Sequence, residues 1–432
     1  MKKGINYHRL LWQALNNKFK GSGKSTFVLA TGQRLLYSDY DVSGNAGLAA
    51  YNTFELLDNG IPCATNYSVT GSRISTKWEQ LLTQGKGPNA GPQQQAAFEK
   101  ARGVLYKVYD TEHTDYYEDY LNKEKTVRKK RVEMEHEYQK EYGDKWKSRF
   151  DKDFAVTDEY MDFQPIQKEV APHLKAIEEW TYGPLAGTLV PMRKAFDSNR
   201  RTVTGNDGVD KDYYNVSMSP ANWYQWFDPA QPADSKEWET ITIGEHSEEH
   251  SASKEYDQLG GAAGVSYAFI GVRGQAEGKM EKEIAADGSR DLNLSFKVRS
   301  VQINRPWLDL SALKVQNYNI PGEKAGSWST GEVNSKNDGS LPLISTQMIV
   351  ARDITVTASK FNQEIIETMK HFDASAKVGF MWGLFSFGAN SSGEYNKETA
   401  DYTFDEASSS MTLKGTQVIG YSCSLVPKYP AS

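Results

Sequence analysis

The segment GluHisSerGluGluHis at 245–250 sets His246, Glu249 and His250 in the H-x-x-E-H order. On a helix this spacing puts two imidazoles on one face with a carboxylate beside them, the layout of a zinc site whose glutamate serves as general base. The neighbours argue for something plainer. Gly244, Ser247, Glu248, Ser251 and Ser253 provide no apolar face to fix the ligands or exclude water, and no third ligand stands out downstream. The segment reads as a polar connector, and these three residues are the one candidate metal set in the chain. GlySerGlyLysSerThr at 21–26 invites a phosphate-loop reading, but the position five before Gly23 is Lys18 rather than glycine, and a polar helical segment stands where the motif needs a strand. His113 lies among carboxylates in TyrAspThrGluHisThrAspTyr, an exposed helix face by its composition. With seven histidines and 56 acidic residues, no nucleophile, base and carboxylate set can be singled out, so the chain is expected to be no enzyme and to need no cofactor.

Two stretches remain that could act through surface chemistry. Ser375–Tyr395, SAKVGFMWGLFSFGANSSGEY, and its echo Gly261–Gly278, GAAGVSYAFIGVRGQAEG, set aromatic and β-branched residues among glycines and small polar residues. They read as two copies of one kind of strand unit, side by side in one sheet. Tyr267, Phe269, Phe380, Trp382, Phe385 and Phe387 are the candidate interaction residues. Glycine-aromatic strands suit close packing between sheets; they also suit hairpins that enter a bilayer, where a crossing strand needs about 9–11 residues with one lipid-facing side. Trp223, Tyr224 and Trp226, between Pro220 and Pro229, and Trp307 in AsnArgProTrp at 304–307 are candidate surface aromatics. The competing readings are a knot that pins a loop to the core, and a strand end where Trp307 covers the core while Arg305 meets a carboxylate or carbonyl.

The elements that position these residues divide the chain in two. Residues 1–20 carry apolar positions at helical spacing, and AGLAAYNTFELLDNG and SRISTKWEQLLTQG read as helices stopped by Gly60 and Gly85. GlyLysGlyProAsnAlaGlyPro at 85–92 is linker-like. Residues 93–154 lack proline and carry a thin apolar stripe on a charged helix, which suits a long arm or a helical hairpin. Its basic run Val127–Arg131 is followed at once by acidic residues and reads as a solvated face with i,i+4 ion pairs. Thr157–Trp180 is helical, with Pro165 and Pro172 expected to start or kink segments. Residues 201–213 read as loop. From Glu239 onward strands dominate, the clearest being DLNLSFKV at 291–298 with strict alternation. LPLISTQMIVARDITVT at 341–357 reads as two strands or one bent strand, FNQEIIETMKH at 361–371 as a short inserted helix, and 412–426 as a final strand.

The expected fold class is α+β, with a helical N-terminal half that includes a long charged arm and a β-rich, sandwich-like, antiparallel C-terminal half. The expected division is 1–92, mixed helix and loop; 93–196, the arm or hairpin; 197–432, the β-rich domain. Of the 432 residues 24 are Tyr and 10 are Trp, an excess that suits a protein working through its surfaces. Net charge of −6 with interspersed signs is unlike a nucleic-acid binder. Cys63 and Cys423, far apart, read as reduced thiols. No signal-like apolar stretch opens the chain and no apolar run is long enough to be a membrane helix, so the expected setting is cytoplasmic, and any export would need a signal-independent route. The leading functional expectation is a non-enzymatic structural or interaction protein, self-assembling as a homo-oligomer or binding another protein; the alternatives are a pore-forming toxin that inserts the two glycine-aromatic stretches into a membrane, and a zinc hydrolase at 246–250.

Overall fold

The computed structural model describes residues 7–86, 91–109, 111–228, 237–244, 253–260, 269–273, 280–285, 292–315, 318, 320–361, 363, 365–367, 379–382, 385–387 and 402–431, with the backbone alone for residues 7, 31, 32, 144, 253, 402 and all of those between 269 and 285 and between 379 and 387. The chain is α+β, helical in its first half and built on antiparallel sheet in its second.

Helix α1 (Tyr7–Phe19) turns Leu11, Trp12 and Leu15 inward, and the Trp12 indole donates to the Phe27 carbonyl at 2.7 Å. After strand β1 (Ser25–Gln33) and the short α2 (Tyr37–Tyr40) comes α3 (Ala46–Leu57), capped by the Asn45 side chain, which accepts from the Leu48 N–H. Helix α4 (Ile74–Gln84) stops at Gly85, where a Cβ would run into the Tyr318 ring. Helix α5 (Pro92–Leu105) leads into a small hairpin, β2 (Tyr106–Val108) and β3 (Glu112–His113), and then into α6 (Asp115–Tyr142). The stretch 93–154 is therefore interrupted. TyrLysValTyr favours extended backbone, and Thr114 starts α6 afresh by accepting from the Tyr117 N–H, with Asp115 and Glu118 in the first turn. At 28 residues α6 is about 42 Å long, and it folds back on α7 (Trp146–Phe154) and α8 (Asp158–Tyr182) after Gly143 adopts φ of 53°. Leu105, Tyr120, Val127, Phe150, Phe163 and Val170 form the core of this hairpin.

The prolines of α8 do not divide it. Pro165 and Pro172 both lie on its exposed face, where the carbonyls they leave unbonded can reach water. Helix α9 (Ala186–Ser198) follows a turn at Gly183. Residues 200–214, within which 201–213 are expected as loop, form a second hairpin of β4 (Arg200–Thr204) and β5 (Asp210–Tyr214), closed by GlyAsnAspGly with Gly208 at φ of 75°. This hairpin takes up the basic run of α6: Lys129 meets Asp210 at 2.6 Å, Arg128 meets Glu124 at 2.7 Å and lies 3.7 Å from Asp212, and Arg131 meets Glu135 at 2.8 Å.

The main sheet gathers β6 (Ser217–Ser219), β7 (Glu239–Gly244), β10 (Asn293–Asn304), β11 (Leu343–Thr357), β14 (Tyr402–Asp405), β15 (Ser410–Leu413) and β16 (Gln417–Leu425) with β1. Its centre is β10 against β11, the latter one bent strand with Asp353 at φ of 49°. The stretch 412–426 is two strands, β15 and β16, rather than one. Strand β1 pairs β16 in register Ser25↔Ser424, so the sheet draws on both ends of the chain. Gly420 sits at its heart because a Cβ there would meet the Phe27 ring and, at 2.6 Å, the Val28 carbonyl. Between β7 and β10 lie α10 (Ser253–Gln258), β8 (Phe269–Arg273) and β9 (Met280–Ala285); between β11 and β14 lie β12 (Gly379–Trp382) and β13 (Phe385–Phe387).

Candidate functional site

Two long excursions leave the main sheet from one line. Strand β7 pairs β10 with Gly244 opposite Asn293, β10 pairs β11 with Asn293 opposite Thr357, and β11 pairs β15 with Thr357 opposite Ser410. Gly244, Asn293, Thr357 and Ser410 thus stand abreast across four antiparallel strands. Residues 245–292 leave and return at the first pair; the chain that leaves after Thr357 rejoins the sheet as β14, which pairs β15 from Tyr402 opposite Leu413 to Asp405 opposite Ser410. The first is a hairpin connection in topology, the second joins β11 to β14 across β15, and each is several times longer than the 2–5 residues a hairpin connection usually takes.

The two excursions meet in a second sheet of order β13-β12-β8-β9. The glycine-aromatic stretches lie side by side, as their composition led us to expect: β12 pairs β8 with Phe380 opposite Val272 and Trp382 opposite Ile270. Strand β13 adds Phe387 opposite Phe380 and Phe385 opposite Trp382, and β9 adds Ile284 opposite Ile270. Residues opposite one another share a face. Register therefore assigns Phe380, Trp382, Phe385, Phe387, Ile270, Val272 and Ile284 to one face together with Lys282, whereas Gly271, Gly379, Met381, Ser386, Arg273, Glu283 and Phe269 fall on the other. Read linearly, PheMetTrpGlyLeuPheSerPhe is almost unbroken in hydrophobicity; pairing is what separates it into sides. Strand β13 lies against β1 and β16 of the main sheet. Tyr267 lies outside the described residues.

The first excursion is tied down by a buried histidine that sequence reasoning passed over. His8 on α1, 3% exposed, lies 2.6 Å from the Tyr256 hydroxyl through Nδ1 and 2.6 Å from Asn66 Oδ1 through Nε2. The amide oxygen accepts from Nε2–H, which leaves Nδ1 to accept from the tyrosine. Tyr256 belongs to α10, inside residues 245–292, and Lys20 pairs Glu255 of the same helix at 2.8 Å. Burial pushes the His8 imidazole down from its usual 6.5 to about 4, the Asn66 hydrogen bond opposing the shift. A linear signal for this link was absent, because its three partners are dispersed along the chain.

The remaining candidates resolve into packing. Trp223, Tyr224 and Trp307 are buried rather than on the surface, at 3%, 8% and 1% exposure, and Trp226 is half-buried with the Arg299 guanidinium 4.1 Å from its ring centre. Tyr224 stacks on Tyr37 and Trp223 packs on Tyr40, so these aromatics pin the 223–227 turn to α2. Arg305 is wholly buried and grips carbonyls, donating to Ser345 O at 2.6 Å and Leu57 O at 2.7 Å, with Trp307 covering the core beside it. His113 packs against Tyr106 and Tyr117. Cys63 and Cys423 are buried free thiols. His246, Glu249 and His250 lie outside the described residues; among the described residues no group of three or more His, Cys, Asp or Glu is arranged to hold a metal ion. Among them, too, no helix is long and apolar enough to cross a membrane. No family model matches this chain, and neither a curated protein nor a solved structure is significantly similar to it.

Proposed function

We propose that the protein permeabilises lipid bilayers as a homo-oligomer, each copy extending its two excursions as antiparallel hairpins, with no chemical step. The observation that carries this reading is the row of Gly244, Asn293, Thr357 and Ser410 across four adjacent strands. Prolonging β7, β10 and β11 past that row continues existing ladders, and prolonging β15 requires its short turn to β14 to open. Residues 245–292 and 358–409 supply far more than the roughly 10 residues each crossing strand needs. The second sheet supports the reading through its registers, which gather seven aromatic and aliphatic positions on one face with Lys282 as the one charged exception, close to the pattern a lipid-facing strand requires. Four strands cannot close a barrel, for which about eight are the minimum, so several copies must combine.

Extension demands a change of partner. In the resting arrangement β12 pairs β8. In the prolonged meander β12 continues β11 and runs beside β9, which leads into β10. A disulfide between β8 and β12 must hold the resting form. The test uses V272C/F380C, at positions directly opposite in register. Wild-type protein releases dye from liposomes, the oxidised variant does not, and reductant restores release. Absence of leakage from wild-type protein across lipid compositions and pH overturns the proposal. An assembly that forms under those conditions without leakage would instead favour a purely structural, self-assembling protein using the same apolar face.

A further inference from the structure

Helices α4, α6, α8 and α9 and the β2–β3 hairpin border a cavity of about 230 Å³ to which neither excursion contributes. Its walls are aromatic: Tyr106, Tyr109, Tyr117, Tyr120 and Tyr182 all line it, with the Tyr117 and Tyr120 rings stacked 5.6 Å apart. Six charged side chains complete the lining, and their pairing is uneven. Arg128 lies 2.7 Å from Glu124, Arg193 lies 2.8 Å from Asp197, and Arg200 lies 2.6 Å from Asp212 just outside. Every arginine thus has a carboxylate. Glu178, half-buried on α8, is left over: no hydrogen bond or salt bridge joins it among the described residues, and Lys194 and Arg193 act on it only through space.

The chemistry of the occupant follows from that imbalance. An anion would find its arginines already engaged and would be set against the Glu178 carboxylate. A neutral polyol could use the tyrosine rings but has no need of the extra carboxylate. A cation satisfies both, since the faces of tyrosine rings attract positive charge and a partly buried carboxylate gains from a counter-ion. The small volume admits a compact ligand. We propose that this cavity binds a small organic cation, an alkylammonium group enclosed by the tyrosine rings with the Glu178 carboxylate as counter-charge. The shared chemistry admits two sources, the trimethylammonium end of a lipid headgroup and a free quaternary amine.

Titration calorimetry of choline into the full chain tests this. Saturable binding is expected, with E178Q weakened about tenfold at an unchanged melting temperature, as loss of a charged partner predicts. Inorganic phosphate and glucose are expected to give no saturation. Should E178Q fold poorly, E178D retains the charge and is expected to bind. Choline that competes with phosphatidylcholine vesicles for the protein identifies the headgroup as the source, and choline that binds without competing identifies a free amine. Absence of saturable binding by choline and tetramethylammonium overturns the proposal, as does equal affinity in E178Q or glucose binding as tight as choline.

Discussion

Acid should loosen the first excursion through one residue. His8 titrates near 4 when folded and near 6.5 when unfolded, so the unfolded chain takes the proton first as pH falls. The stabilisation is complete above about pH 6.5, drains as pH drops, and is lost once pH passes below about 4. Each tenfold difference in proton affinity is worth about 1.4 kcal/mol, which gives roughly 3 kcal/mol in all and about 2 kcal/mol by pH 5. The groups facing the ring are the Tyr256 hydroxyl from α10 and the Asn66 amide, and Arg9 lies 5.9 Å from the Tyr256 ring centre. A protonated ring would set a donor against the tyrosine hydroxyl and place a charge 5.7 Å, centre to centre, from the Tyr256 ring in a buried site. Urea unfolding of wild type and H8Q, followed by tryptophan fluorescence at several pH values, isolates the effect, because other titrating groups are common to both. The stability advantage of wild type over H8Q should shrink by about 2 kcal/mol between about pH 7.5 and pH 5, and hydrogen exchange should rise first at residues 253–258. An advantage that is constant over this range, or that grows toward acid, would refute the reasoning.

Arg305 is expected to tolerate replacement badly: R305M leaves the Leu57 and Ser345 carbonyls without their donor and should cost about 2–4 kcal/mol in chemical denaturation. Full burial already pushes its guanidinium down to about 10, so R305K, with fewer donors, should recover only part of the loss. G420A should destabilise by about 1–3 kcal/mol through overlap with Phe27, and F27L in the same chain should restore part of it. Burial raises the Cys63 thiol to about 11 and pushes Cys423 up as well, so a thiol reagent at neutral pH should modify neither in the native protein and both after denaturation.

Local signals carried much of the architecture. The helices that stop near Gly60 and Gly85, the alternation in Asp291–Val298, and the arginine and tryptophan around Pro306 could each be read from a few neighbouring residues, because caps, period and strand ends are short-range. What escaped depended on partners distant in sequence. Arg200–Tyr214 is too charged to read as strand until Lys125, Arg128 and Lys129 of α6 are seen to neutralise Asp210 and Asp212. Pro165 and Pro172 stay within one helix because packing through Phe163, Ile166 and Val170 outweighs two lost hydrogen bonds on a wet face. The amphipathic nature of the second sheet and the row shared by four strands are properties of register, which no single strand contains.

The pairing of β1 with β16 has a bearing on how the molecule is made. Synthesis delivers Phe27, Val28 and Leu29 early, yet their ladder partners around Gly420 arrive only after nearly four hundred further residues. Until then β1 presents an apolar edge with no mate, the kind of segment that seeks another chain or a chaperone. Closure of so long a loop makes folding slow, and it completes the main sheet in a single late event. The strands that frame the two excursions therefore become fully supported only when the last of them has left the ribosome, and a nascent copy has no finished platform from which to extend them.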